Sequence, residues 1–214
     1  MHFDEDKNKK QGRLVIISAP SGAGKSTVIR RLLKQNSDMA FSISDTTRNI
    51  RRGEREGRDY FFVSKKKFND MKEAGLFLEW AEVYDNFYGT GLERTRELLE
   101  EGKDVLLDID IQGAKQVSQS SIKPIMIFIL PPGKGELVKR LRKRGDLSED
   151  ELKKRINRAY GEIKQADSYE YVVVNRSLEK TVEYIEKIIL SQRLKVEYNK
   201  GLIDEILNSF NGGD

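Results

Sequence analysis

Arg13-Leu-Val-Ile-Ile-Ser18 runs directly into Ala19-Pro-Ser-Gly-Ala-Gly-Lys-Ser-Thr27, and this junction decides the fold. The first six residues form a short β-branched apolar run, with the length and composition of a buried strand. After the glycine-rich turn, Val28, Ile29, Leu32 and Leu33 recur at helical spacing. Strand, turn and helix in this order make an anion cradle. Backbone N–H groups of Ser21, Gly22, Ala23 and Gly24 curl around phosphate oxygens, and the helix opening at Lys25, Ser26 and Thr27 points its positive end at them. Lys25 is placed to reach the β- and γ-phosphates of a nucleotide and Ser26 to offer its hydroxyl to Mg²⁺. The pattern G-x-x-x-x-G-K-[S/T] is matched except at its first position, Ala19, where a small residue suffices if the backbone keeps a negative φ.

Outward from this junction the pattern repeats. Val105-Leu-Leu-Asp-Ile109, Ile125-Met-Ile-Phe-Ile-Leu130 and Tyr171-Val-Val-Val174 read as strands. Charged, helix-prone segments separate them: Ile111 to Gln119, Gly135 to Arg144, Ser148 to Ser168 and Leu178 to Tyr198. Ser148 with Glu151 three residues on predicts a capping box. Alternating strand and helix predicts an α/β fold, a P-loop NTPase-type parallel sheet with helices on both faces. Residues 40–88 break the alternation. Short β-like pieces (Phe41 to Ser44, Tyr60 to Val63, Leu78 to Val83) surround one helix, Lys66 to Ala74, and Phe61, Phe62, Phe68, Phe77 and Trp80 supply area to bury. This is read as an inserted mixed α/β lobe. The expected organisation is a flexible leader (1–12), a main domain (13–198) and an amphipathic C-terminal tail (199–214). Within the domain, 13–39 and 89–198 form the core and 40–88 the lobe.

Composition narrows the chemistry. Among 214 residues there is no cysteine, and one histidine, His2. Thiolate nucleophiles, cysteine-ligated metals and Ser-His-Asp triads are therefore excluded, leaving carboxylates, hydroxyls, lysine, arginine and a hard cation. No run is apolar and long enough to span a bilayer, and Met1 to Gln11 has no apolar core of a secretory signal. A cytoplasmic protein is expected. The net charge of +4 is too diffuse to indicate a nucleic-acid partner by itself.

A second constellation lies between Ser44 and Arg58, where five arginines stand among three acidic residues, with Tyr60 just beyond. Taken alone, such a run is a solvated loop. Arginine is also the preferred forked donor to phosphate. Joined with Phe77-Leu-Glu-Trp-Ala81, Tyr88-Gly-Thr90 and Asp108-Ile-Asp-Ile-Gln-Gly113, and with the Ala-Pro-Ser-Gly-Ala-Gly-Lys-Ser loop, it closely resembles guanylate kinase from about Arg13 to Arg193.

The resemblance implies phosphorylation of GMP by ATP with Mg²⁺, no nucleic-acid or membrane partner, and it admits a homodimer. It implies that Arg48, Arg51, Tyr60 and Tyr88 hold the GMP phosphate, that Glu79 accepts from guanine N1–H and the 2-amino group, and that Ser44 and Thr90 complete this pocket. Asp110 orients the acceptor phosphate or the hydrated metal. Capping of the following helix stands as the alternative, for Asp108 above all. Arg140, Arg144 and Arg155 belong to a helical lid, about 138–160 within the core span, that closes over ATP, Arg142 and Lys143 to the surface, and Asn175 lies near the adenine. Lys25, Arg48, Asp110 and the three lid arginines form the implied catalytic set. The family usually carries prolines where this chain has Ile50 and Arg52, and an acidic residue where it has Arg176.

A phosphate monoester is largely ionised at neutral pH, with its second pKa about 6, so this transfer needs no histidine base. Three rivals remain open at this level. A sugar-phosphate kinase is disfavoured by Glu79 with Ser44 and Thr90. A non-catalytic peptide-binding relative is disfavoured by the intact Gly24-Lys25-Ser26, and an RNA-binding protein using the basic lid would bind with steep salt dependence and no turnover.

Overall fold

Leu14–Ser18 (β1) is buried along its whole length in the computed structural model, which describes residues 11–83, 85–143 and 147–211. The glycine-rich turn follows, then α1 (Lys25–Gln35) and β2 (Met39–Phe41). Next come β3 (Asp45–Thr46), β4 (Phe61–Phe62), α2 (Lys65–Glu73), β5 (Phe77–Val83) and β6 (Asn86–Gly91). The chain continues through α3 (Leu92–Glu100), β7 (Asp104–Leu107), α4 (Ile111–Ser118), β8 (Ile125–Leu130), α5 (Lys134–Lys143) and α6 (Glu149–Ile163). β9 (Tyr171–Val174), α7 (Leu178–Arg193) and α8 (Lys200–Asn211) complete it.

The main sheet has the order β2-β7-β1-β8-β9, with every pairing parallel. Because side chains alternate along a strand, β1 sends Val15 and Ile17 to one face and Leu14 and Ile16 to the other. The first pair packs with Val28, Leu32, Ile185 and Ile189 of α1 and α7. The second packs with Leu99, Ala114 and Val117 of α3 and α4. Helices thus cover both faces, which is why β1 carries no polar residue before Ser18. Neighbours on its two sides, β7 and β8, are reached by connections in opposite directions, so a crevice opens at the strands' carboxyl ends, where ligands bind in such sheets. Among the described residues no helix is long and apolar enough to cross a membrane.

The second sheet, β4-β3-β6-β5, has β3 antiparallel to β6 and β6 antiparallel to β5. Its core is aromatic: Phe68 of α2 stacks on Phe77 and Phe87 at centroid distances of 4.5 and 5.4 Å. The sheets divide the chain slightly differently from the expected boundaries. Met39–Phe41 pairs with β7 in the main sheet, and the second sheet continues to Gly91. Helix α3 has no counterpart in the sequence reading, since it begins at Gly91 without a side-chain cap and buries only Thr95 and Leu99. The capping box of α6 forms as its spacing requires, with Ser148 accepting from Glu151 N–H and Glu151 accepting from Ser148 N–H. Gly12, assigned to the flexible leader, is tied in by a 2.8 Å bond from its N–H to the Leu99 carbonyl. The tail forms α8, which exposes Leu207 and Phe210.

Candidate active site

The phosphate loop takes its shape from two left-handed glycines, Gly22 at φ 89° and Gly24 at φ 99°. A side chain at either is excluded by space as well as by backbone, because a Cβ on Gly24 would lie 2.5 Å from Asn175 Nδ2 and one on Gly22 2.9 Å from Leu137. Two groups brace the loop at the Ala23 carbonyl: Asn175 Nδ2 donates at 2.7 Å and Arg140 Nη1 at 3.0 Å. Arg140 Nη2 also donates to the Asn175 carbonyl, and Asn175 Oδ1 accepts from Thr181 at 3.0 Å. Asn175, expected near adenine, and Arg140, expected on the lid, are both built into the loop's wall.

Lys25 Nζ pairs with Asp108 at 2.5 Å and donates to the Ile109 carbonyl at 3.3 Å. Of the two aspartates for which capping stood as the alternative, Asp110 is the one that caps. Asp110, directly before α4, is the cap, its carboxylate accepting from Gly113 N–H at 2.9 Å, while Asp108 meets the loop lysine. Capping leaves Asp110 partly free, and it lines a cleft of about 460 Å³ with Ser18, Lys25, Lys115, Arg158 and Glu162. Glu162 accepts from Ser21 N–H at 3.2 Å, so an anionic oxygen already sits on one of the loop's donors, the chemistry expected of a phosphate.

Across the crevice stands the lobe. Glu79 is 6 % exposed and accepts a 2.5 Å hydrogen bond from the Thr90 hydroxyl. Burial, opposed by that bond and reinforced by the charge of Asp110, pushes its carboxyl up to about 7. A register shift between Phe77 and Glu79 marks a bulge in β5 directly before it, a common device for re-aiming a side chain.

Arg48 is held by Glu54 through two bonds of 2.8 and 3.0 Å, and the same carboxylate accepts from Arg51 N–H at 2.8 Å. The Arg48 guanidinium lies 5.3 Å from the Tyr60 ring centroid. The Tyr60 and Tyr88 rings meet edge to face at 5.9 Å. Glu54 thereby fixes a loop that lacks the family's usual prolines at exposed Ile50 and at Arg52. Burial raises the Tyr60 pKa, with Tyr88, Asp108 and Glu54 adding to it and Arg48 opposing, so the lobe's phenol feels the aspartate that pairs with Lys25.

The structure therefore gathers Arg48, Tyr60 and Tyr88 in one cluster, Glu79, Thr90 and Asp110 in a second, and Lys25 with the loop in a third. Others stand apart. Arg51 and Arg155 have exposed side chains, and Ser44 contributes its carbonyl to Phe61 N–H. Arg142 pairs with Glu149 at the surface, as expected. Arg144 lies outside the described residues. Sequence reasoning passed over Glu54, Lys115, Arg158 and Glu162. The first is one more charge in a charged run, and the others join the site only through contacts distant in sequence.

A strand–loop–helix phosphate cradle facing a separate lobe with an arginine–tyrosine cluster and a buried carboxylate defines a P-loop phosphotransferase with its own acceptor pocket. The family model described as "Guanylate kinase" matches residues 11–192. A guanylate kinase of Caldanaerobacter subterraneus subsp. tengcongensis is 48 % identical over 194 residues, covering 91 % of this chain and 94 % of that protein. One from Clostridioides difficile is 46 % identical over 196 residues, covering 92 % and 96 %. The crystal structure of guanylate kinase from Anaplasma phagocytophilum superimposes with a TM-score of 0.69 at 34 % identity, covering 87 % of this chain and 89 % of that one. The chain belongs to the guanylate kinase family and is a nucleoside monophosphate kinase.

Proposed function

We propose that the protein transfers the γ-phosphoryl group of ATP to GMP, giving ADP and GDP, with GMP in the second-sheet lobe and ATP on the phosphate loop. One observation carries this reading: Glu79 is buried and paired with Thr90, near enough to Asp110 to feel its charge, and Asp110 lines one cleft with Lys25. Guanine presents two adjacent donors, N1–H and the 2-amino group, and a single carboxylate accepts both. Adenine has no such pair, and a site built on these bonds rejects a base that leaves them unmade.

Arg48 with Tyr60 and Tyr88, joined on closure by Arg51, hold the GMP phosphate, using guanidinium and phenol donors that stay protonated at neutral pH. Ser44 completes the base pocket. The nucleophile is a phosphate oxygen, already ionised, so these residues orient it and offset the repulsion between two anions. Lys25 leaves Asp108 for the β- and γ-phosphates, while main-chain N–H groups from Ser21 to Gly24, with Thr27, cradle the triphosphate. Arg140, already on the loop's wall, is joined by Arg144 and Arg155 in neutralising the transferring group as α6 closes, which also excludes water.

Ser26, in the first turn of α1, and Asp108, paired with Lys25 beside the loop, would supply hard oxygens to Mg²⁺ held mainly by substrate phosphates and water. When bound, the ion screens the charge of the phosphate oxygens. The body, lobe and lid act as three parts of one machine, and a cysteine-free chain suits work in the reducing cytoplasm. The test is ADP formation from ATP and Mg²⁺ with GMP, AMP, UMP and a sugar phosphate offered separately. GMP should be used at least about a hundredfold better than AMP; equal use of all acceptors would refute the assignment.

A further inference from the structure

We infer that α4 sets the position of the guanine-reading carboxylate and that Gln116 is its positioning residue, an inference that rests on Glu79 reading guanine. β5 is an edge strand, paired with β6 on one side only. Its outward N–H and C=O groups therefore lack a strand partner, and unpaired main-chain groups seek one. At Trp80, the residue after Glu79, one side chain satisfies both. Trp80 N–H donates to Gln116 Oε1 at 3.2 Å, and Gln116 Nε2 donates to the Trp80 carbonyl at 2.9 Å. A single planar amide stands in for a neighbouring strand residue, and only glutamine or asparagine carries the donor and acceptor side by side.

The bulge gives this contact its importance. A bulge leaves one residue unpaired and bends the strand, so the orientation of Glu79 is not fixed by the ladder with β6 alone. Gln116 fixes it from the other side. Three residues earlier on the same helix face is Gly113, where a Cβ would stand 2.8 Å from Glu79 Oε2 and 3.3 Å from its carboxyl carbon. Glycine within a helix costs about 1 kcal/mol relative to alanine, and here it lets the carboxylate rest against bare helix backbone. Gly113 N–H is also the donor that Asp110 accepts. One short segment of α4 therefore holds Asp110 on one side and Glu79 on the other, fixing the separation between the base end and the phosphoryl end of the acceptor.

The test compares GMP with IMP, which shares the ribose, the phosphate and N1–H but lacks the 2-amino group. In Gln116→Met, which keeps length and removes both hydrogen bonds, the preference in kcat/KM for GMP over IMP should fall about tenfold, one lost oriented bond, with KM for ATP unchanged. In a Glu79→Ala background the same substitution should leave the preference where Glu79→Ala put it. Gly113→Ala should give a loss like that of Gln116→Met. Gln116 is exposed, so its replacement leaves the core intact even if Gly113→Ala fails to fold. A purely structural tie would lower Tm and both acceptors' rates in parallel. An unchanged preference in Gln116→Met, or an equal further loss in the Glu79→Ala background, would overturn the inference. Wild-type protein that turns over ATP without using GMP would instead refute the substrate assignment beneath it.

Discussion

Replacing Glu79 by glutamine should make the protein more stable and less useful, and the size of the first effect follows from the burial of the carboxyl. Its folded pKa, about 7, lies above 4.5, the ordinary value of a glutamate carboxyl in the unfolded chain. Between these values the folded state binds more protons than the unfolded one, so the stability this group contributes is fully present below pH 4.5 and lost as pH rises through about 7. At about 1.4 kcal/mol per pKa unit, the ionised carboxylate costs about 3 kcal/mol above neutrality. Glutamine does not ionise, its carbonyl still accepts from Thr90, and the repulsion from Asp110 disappears.

Thermal melts without nucleotide should therefore coincide for wild type and Glu79→Gln near the acid end. The variant should pull ahead with rising pH, by about 6–12 °C near pH 8, given about 2–4 °C per kcal/mol for a chain of this size. Its kcat/KM for GMP should fall by at least about a hundredfold, because one of two acceptors has become a donor, with KM for ATP unchanged. Melting curves that stay parallel across the range, or a variant less stable at high pH, would refute the burial argument. Equal losses for GMP and ATP would refute the assignment of Glu79 to the base.

Lys25→Ala removes the ammonium that now bridges Asp108 and the Ile109 carbonyl. Turnover should drop at least about a thousandfold with the circular-dichroism spectrum unchanged, and surviving GMP-dependent ADP formation would refute the loop's role. Asn175→Ala takes one of two donors from the Ala23 carbonyl and should cost about 1–3 kcal/mol in denaturant unfolding while raising KM for ATP more than KM for GMP. Arg48→Lys keeps the charge but loses the fork that Glu54 and the acceptor phosphate use. It should raise KM for GMP about tenfold or more and leave KM for ATP alone, as steady-state kinetics with each substrate varied will determine.

The β1–loop–α1 unit was legible because every determinant is local: an apolar strand, two glycines at positive φ, and a helix that follows at once. β7, β8 and β9 were legible as continuous apolar runs, whereas β2, three residues long and part-buried, was read into the lobe. Helix α3 was not, because its start has no side-chain cap and it buries few residues. Within the site, Lys25 opens α1 beside the loop and Glu79 bonds Thr90, contacts among residues that the motifs had singled out. Which aspartate caps the helix required geometry: both follow β7, and only the observed start of α4 at Ile111 makes Asp110 the cap. Glu54, Glu162 and Gln116 were illegible for another reason. Each is a polar residue in a charged or polar stretch, and its meaning comes from a partner that the fold brings to it.

The most direct test of phosphoryl transfer to GMP is phosphorus NMR of the protein with ATP labelled by ¹⁸O at the γ-phosphoryl group, with Mg²⁺ and GMP. The labelled phosphorus should appear as the β-phosphoryl of GDP, with inorganic phosphate a trace. Label released chiefly as inorganic phosphate while GMP remains unconsumed would contradict the account.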